Sequence, residues 1–231
     1  MNIPRRSFLQ SGAVLGSTLF LGALGSAAAA TPTPTGSTAD VWEVFRRRRS
    51  VRQFRPDPVP DDDLRKMIDA ARLAPTSGNQ QLWKFLVIRD PDKISRLKEG
   101  CVKRLLGQFD ERQDHATPRE KYESSVRQRL AGYFSAPAFI VVLTDNQSQY
   151  PDYNHWDGPL AGGYLMLAAC ALGYGTVFIT DAIPDSVTRE VLGIPDRYTR
   201  VCITPVGVPV DWPVSPRKRK LEEFIAFETL A

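Results

Sequence analysis

Arg48-Arg49-Ser50-Val51-Arg52 and Pro75-Thr76-Ser77-Gly78-Asn79-Gln80-Gln81-Leu82-Trp83 are the two stretches of this sequence whose residue types can do chemistry together. The first concentrates guanidinium groups and a hydroxyl within one helical turn's length of chain. A phosphate monoester is largely doubly ionised at neutral pH and presents several acceptor oxygens, so forked and permanently charged donors of this kind match it. The second stretch offers backbone N–H groups in a Pro/Ser/Gly turn, followed by Asn and Gln amides. Those amides carry both donors and acceptors and suit the edge of a flat heterocycle. Either stretch alone is more simply a basic helix end or an ordinary surface turn. Both together, in this order, describe a ligand with a phosphate at one end and a heterocycle at the other.

Together the two stretches read as a site for flavin mononucleotide (FMN). In these two motifs the chain resembles the nitroreductase family, whose signature is an Arg-Arg-Ser-x-Arg start followed by a Ser-x-Asn-x-Gln-Pro-Trp turn. The resemblance spans roughly residues 42–228 and implies a role for each matching residue. Arg48, Ser50 and Arg52 face the phosphate and ribityl chain, and Arg49 contacts the ring edge. Pro75, Thr76, Ser77, Asn79 and Gln81 lie against the isoalloxazine and ribityl groups. Leu82 stands where the family has proline, which loosens the backbone at Gln81. Thr180 and Asp181 take the place of a Gly-Gly pair beside flavin N5, where Asp181 either tunes the flavin or caps the following helix. In Arg217-Lys218-Arg219-Lys220-Leu221-Glu222-Glu223, Arg219 completes the phosphate site, with Arg217 second. The family's proline before Leu-Glu-Glu is missing here, so that register is open by one residue.

The resemblance implies a homodimeric FMN-dependent oxidoreductase. Such an enzyme takes hydride from NADH or NADPH onto N5 and reduces a nitroaromatic, quinone or similar small acceptor. A reductive dehalogenase is the alternative within the family, and a flavin- or polyanion-binding protein without turnover is the alternative outside it. No nucleic-acid partner is expected. The formal net charge is +4, and two of those charges are Arg5 and Arg6, so only Arg46–Arg49 and Arg217–Lys220 are strongly basic locally. The sequence offers no Gly-x-Ser-x-Gly elbow or Cys-His pair of its own. Asp152, His155 and Asp157 are spaced to suggest a metal site, but their context reads as a loop. Gly173-Tyr174-Gly175 precedes a strand instead of following one, which excludes a dinucleotide fingerprint.

Residues 1–30 read as a targeting segment. Arg5-Arg6-Ser7-Phe8-Leu9 resembles a twin-arginine export signal, the uncharged run 12–30 follows it, and Ala27–Ala30 suits cleavage. This implies the twin-arginine machinery as a partner and an extracytoplasmic or periplasmic location. A membrane anchor is the competing reading. Residues 31–38, rich in Thr and Pro, read as a flexible linker, and 39–231 as one domain.

Within that domain, helices are expected over 39–49, with Trp42 and Phe45 on one face, and from Asp61, with Leu64, Met67, Ile68 and Ala71 at helical spacing. Charged helical structure is expected over 92–130, and a helix apolar almost all round over 160–172, hence buried. A further helix starts at Pro184 and stops at Gly193. Strands are expected at 83–88, 138–144, 176–180 and 198–206, with a possible fifth at 224–227. Cys101, Cys170 and Cys202 show no paired spacing. The fold class is α+β: a nitroreductase-like sandwich with one mixed, mainly antiparallel sheet and helices on both faces.

Overall fold

Alternation along Ala138–Asp145 divides the interior of the molecule in two. Phe139, Val141 and Leu143 join one buried cluster, while Ala138, Ile140 and Val142 join another on the opposite side of the sheet, as a strand's period of two requires. In the computed structural model, which describes residues 40–112 and 116–230, this strand is the centre of a four-stranded sheet. The strands are β1 (Trp83–Ile88), β2 (Ala138–Asp145), β3 (Gly175–Thr176) and β4 (Tyr198–Gly207). Their order is β1-β2-β4-β3, and every neighbouring pair is antiparallel. Among the described residues the one parallel pairing is an isolated bridge between Ser50 and Thr176.

Helices cover both faces. Helix α2 (Asp61–Ala71) and helix α5 (Asn154–Ala171) pack on the Ile140 side through Leu64, Met67, Leu165 and Ala169. Helices α3 (Pro91–Asp110), α4 (Arg119–Tyr133) and α6 (Asp185–Leu192) cover the Phe139 side through Leu97, Val102, Leu130 and Val187. Phe139 is fully buried there, so truncation to Ala would cost about 3–5 kcal/mol. Local signals set the ends. The Asp90 side chain accepts from Asp92 N–H ahead of Pro91 to start α3, and Gly193 at φ 64° closes α6 in the left-handed region. Helix α1 (Val41–Arg47) delivers the arginine motif at its C-terminal end.

Several expectations need correction. The strand expected over 176–180 pairs only at Gly175–Thr176 and again at the Ile179–Ile203 bridge. The intervening partner, Pro205, has no N–H to close the ladder, and Val177 N–H turns to Thr204 Oγ1 at 3.3 Å. The tail at 224–227 forms no strand; a short 3₁₀ turn at Leu221–Glu223 precedes it and Phe224 is exposed. Trp42 and Phe45 are also exposed, and Val44 is the buried residue of α1. The stretch around His155 and Asp157 is helical, since α5 begins at Asn154. The three cysteines are free and buried. The proposed signal (1–30) and linker (31–38) lie outside the described residues.

Candidate functional site

The chain leaves α1 at Arg48 and runs as a near-strand along the β3 edge of the sheet. Val51 N–H donates to Thr176 O at 3.0 Å, and Arg55 N–H donates to Val208 O at 2.8 Å. This anchoring holds Arg48, Arg49, Ser50 and Arg52 on one wall of a cavity of about 400 Å³, opposite Pro213–Pro216 and Lys218 of the C-terminal tail. No carboxylate lines it. Among the described residues none of Arg48, Arg49, Arg52 and Lys218 forms an ion pair. Arg49 donates through Nη1 to Arg48 O at 2.8 Å, but its Nε is buried without a partner. A buried donor left unpaired costs about 1–3 kcal/mol, and clustered like charges repel, so this arrangement suits an anion. A phosphate monoester fits that requirement.

The expected tail residues, Arg219 and Arg217, lie away from this cavity in the single chain. Arg219 sits over the Phe224 ring at 4.3 Å and lies 3.8 Å from Glu223, and neither it nor Arg217 lines the cavity. Lys218 does. Which of four consecutive basic residues reaches the cavity is set by the course of the tail, which the sequence does not specify.

Residues Pro75–Gln81 form a second, separate region; none of them lines the arginine cavity. Three residues with left-handed backbone mark it: Gly78, Asn79 and Gln81 have φ of 58°, 54° and 49°. Left-handed conformations at Asn79 and Gln81 are costly and persist only where the surroundings over-determine them. The restraint here comes from Asp157 in the first turn of α5, which is 4% exposed. Its Oδ2 accepts from Ser77 N–H at 3.0 Å and from Gln80 Nε2 at 2.9 Å. Gln80 also exchanges hydrogen bonds with the Tyr150 backbone, and Gln81 N–H donates to Thr76 Oγ1 at 3.3 Å. A Cβ on Gly78 would stand 2.4 Å from the Tyr150 ring, so only glycine fits that turn. Leu82 is buried, and Trp83 donates from its ring N–H to Asp157 O at 3.4 Å.

Thr180 and Asp181 form a third region. Thr180 lines a cavity of about 760 Å³ with His155, Asp152, Pro159 and Phe178. Its hydroxyl donates to Asp181 Oδ1 at 2.8 Å. That bond, with the N–H groups of Asp181 and Ala182, holds the Asp181 carboxyl below its ordinary value. From the sequence Asp157 was read only as a possible metal ligand, and Gln80 and Lys218 were given no role. Asp157 carried a signal, an isolated acid opening an otherwise apolar helix. Among the described residues no three His, Cys, Asp or Glu side chains are grouped to hold a metal.

One chain therefore presents an arginine cavity, a strained loop and the Thr180-Asp181 turn, with no residue of the loop or turn lining the arginine cavity. The same chain carries exposed apolar surface: Trp42 and Phe45 on α1, and Trp156, Leu160 and Tyr164 at four-residue spacing on α5.

A model of the nitroreductase family matches residues 45–208. An Archaeoglobus fulgidus protein provisionally named NADH dehydrogenase/NAD(P)H nitroreductase is 31% identical over 170 residues, covering 71% of this chain and 82% of the relative. An iodotyrosine deiodinase of Thermotoga neapolitana is 27% identical over 189 residues, covering 81% of this chain and 98% of the deiodinase. Among solved structures, a nitroreductase-type protein of Desulfovibrio desulfuricans in complex with FMN superposes with a TM-score of 0.63 at 25% identity, covering 84% of this chain and all of that one.

Proposed function

This chain belongs to the nitroreductase family, and from that premise we propose that it is an FMN-dependent oxidoreductase that takes hydride from NADH or NADPH and passes it to a small organic acceptor such as a quinone or nitroaromatic. The observation that carries the proposal is the carboxylate-free arginine cavity with its buried, unpartnered Arg49 Nε. Bound FMN supplies a ring nitrogen that accepts hydride from one substrate and delivers it to the next.

The chain's own residues bind and orient. Arg48, Arg49, Arg52 and Lys218 neutralise the phosphate, and Ser50 adds a hydroxyl. The 75–81 loop, held rigid by Asp157, lies against the ring system, and Thr180 and Asp181 stand at its reactive edge. Because the loop and the cavity are apart in one chain, the site is assembled between two copies, with the exposed faces of α1 and α5 closing against each other and excluding water. The cavity beside Thr180 is where donor and acceptor substrates are received in turn.

Reductive dehalogenation is the second reading. It is favoured by the match to a deiodinase over nearly the whole of that protein. An anaerobic screen of the FMN-loaded protein separates the two: quinone and nitroaromatic turnover with NADH or NADPH supports the first, and halide release from a halotyrosine without it supports the second. No turnover with either class contradicts the enzymatic reading. We also propose twin-arginine export, supported by Arg5-Arg6 ahead of an uncharged run. Arg5→Lys with Arg6→Lys keeps the charge and removes the guanidinium pair, so folded FMN-loaded protein should stay in the cytoplasm; unchanged export contradicts the route.

A further inference from the structure

Arg200 belongs to none of the motifs above, yet its guanidinium is buried with only 4% of the side chain exposed. Its direction is set by a bulge. Val142 pairs with Cys202 but Leu143 pairs with Arg200, so Val201 is an extra residue on β4. Val201 and Cys202 consequently both pack on the α2/α5 side. That turns Arg200 towards α6, the opposite direction from unbroken alternation. There it gathers one short segment. Nη1 donates to Ile183 O at 2.7 Å and to Thr188 Oγ1 at 3.0 Å, Nη2 donates to Thr180 O, and Nε lies 3.1 Å from Asp185 Oδ1.

Pinning the Thr180 carbonyl fixes the peptide plane that follows it, and in a trans peptide the Asp181 N–H points the other way. On that other side the Thr180 hydroxyl and the N–H groups of Asp181 and Ala182 act on one carboxylate, that of Asp181. A set of donors that converges on one carboxylate suits an electron-rich group, and Asp181 marks where such a group is held.

We propose that Arg200 is a positioning residue for the cofactor's reactive edge: by holding the carbonyl side of residues 180–183 against β4, it presents their donor side to N5 of FMN. This rests on the reading that Thr180 and Asp181 stand beside N5. Donors aimed at the ring favour its more electron-rich, reduced form, so Arg200 raises the reduction potential of bound FMN.

Two measurements on Arg200→Met and Arg200→Lys test it. In the cofactor-free protein, amide hydrogen exchange over 180–184 should quicken by at least about tenfold in Arg200→Met, as expected for losing a charged hydrogen bond, with Arg200→Lys intermediate. In the FMN-loaded protein, redox titration followed by flavin absorbance should give a more negative midpoint potential while FMN is retained, because the phosphate cavity is untouched. Unchanged exchange overturns the proposal, and so does a lower melting temperature with parental potential, which would make Arg200 structural only. If Arg200→Met does not fold, Thr188→Val removes one acceptor and should move both readouts the same way by less; no movement overturns the proposal equally. A parent protein that takes up no FMN would contradict the proposed function instead, and the exchange measurement would still decide whether Arg200 orders this segment.

Discussion

The outward faces of α3 and α4 and those of α1 and α5 are built on opposite principles. On the first, Arg119 meets Asp110 at 2.8 Å and Glu123 at 3.2 Å, and Arg127 meets Glu123 at 2.8 Å, so the surface is covered by ion pairs and suited to water. On the second, Trp42, Trp156, Leu160 and Tyr164 are between 41% and 64% exposed, with no charge among them. Scattered apolar residues are normal on a surface, but an aligned stripe beside an unfinished anion cavity is not. The contrast supports the proposal that the apolar side meets a second copy and that the cofactor's binding groups are divided there.

The comparison breaks most visibly if the apolar face is made polar. Leu160→Asp with Tyr164→Asp should give a monomer by light scattering, with FMN binding weakened at least about a hundredfold, a loss of about 3 kcal/mol. Next in size is Arg48→Ala, which removes one charge-assisted phosphate contact of about 1.5–3 kcal/mol and should weaken FMN binding by about ten- to a hundredfold. The melting temperature without cofactor should not fall. The same truncation on the polar face, Arg119→Ala, should cost less than about 1 kcal/mol of stability in chemical denaturation and leave FMN binding unchanged. A large effect there would erase the distinction between the faces. The smallest effect concerns acid stability. Arg197 donates to Asp145 and holds its carboxyl below the ordinary range. A depressed folded value means that this contribution is present above about pH 4, the unfolded carboxylate value, and is lost as pH falls through the folded one. Arg197→Ala should lower the melting temperature slightly at neutral pH and leave it nearly unchanged in strong acid, which flattens the acid limb.

Much of this was legible in the sequence for physical reasons. Leu64, Met67 and Ala71 announce α2 by spacing, and Gly193 marks the end of α6 because only a left-handed residue closes a helix that way. The arginine motif and the Pro75–Gln81 turn are contiguous, so their chemistry could be read directly. What was not legible depends on contacts between distant segments. Asp157 holds Ser77 across 80 residues, Arg200 is turned by a bulge that composition does not encode, and Lys218 is brought to the cavity by the course of the tail. The short β3 was hidden in a different way: Val177 is a good strand residue, and its partner Pro205 is what interrupts the ladder. Helix α5 was read as buried all round; one face is buried, and the other is exposed in the single chain.

Mixing two defective chains tests the shared site most directly. One carries Arg48→Ala with Arg52→Ala in the cavity, the other Asn79→Ala with Gln81→Ala in the loop, and each alone should bind FMN poorly. Co-expressed and purified as a mixed dimer through two different tags, they place both defects in one site and leave the other site with parental arginines and a parental loop. The account predicts that the mixed dimer regains tight FMN binding at half of its sites. Binding no better than in either parent variant would mean that each cofactor is held within one chain, and would contradict it.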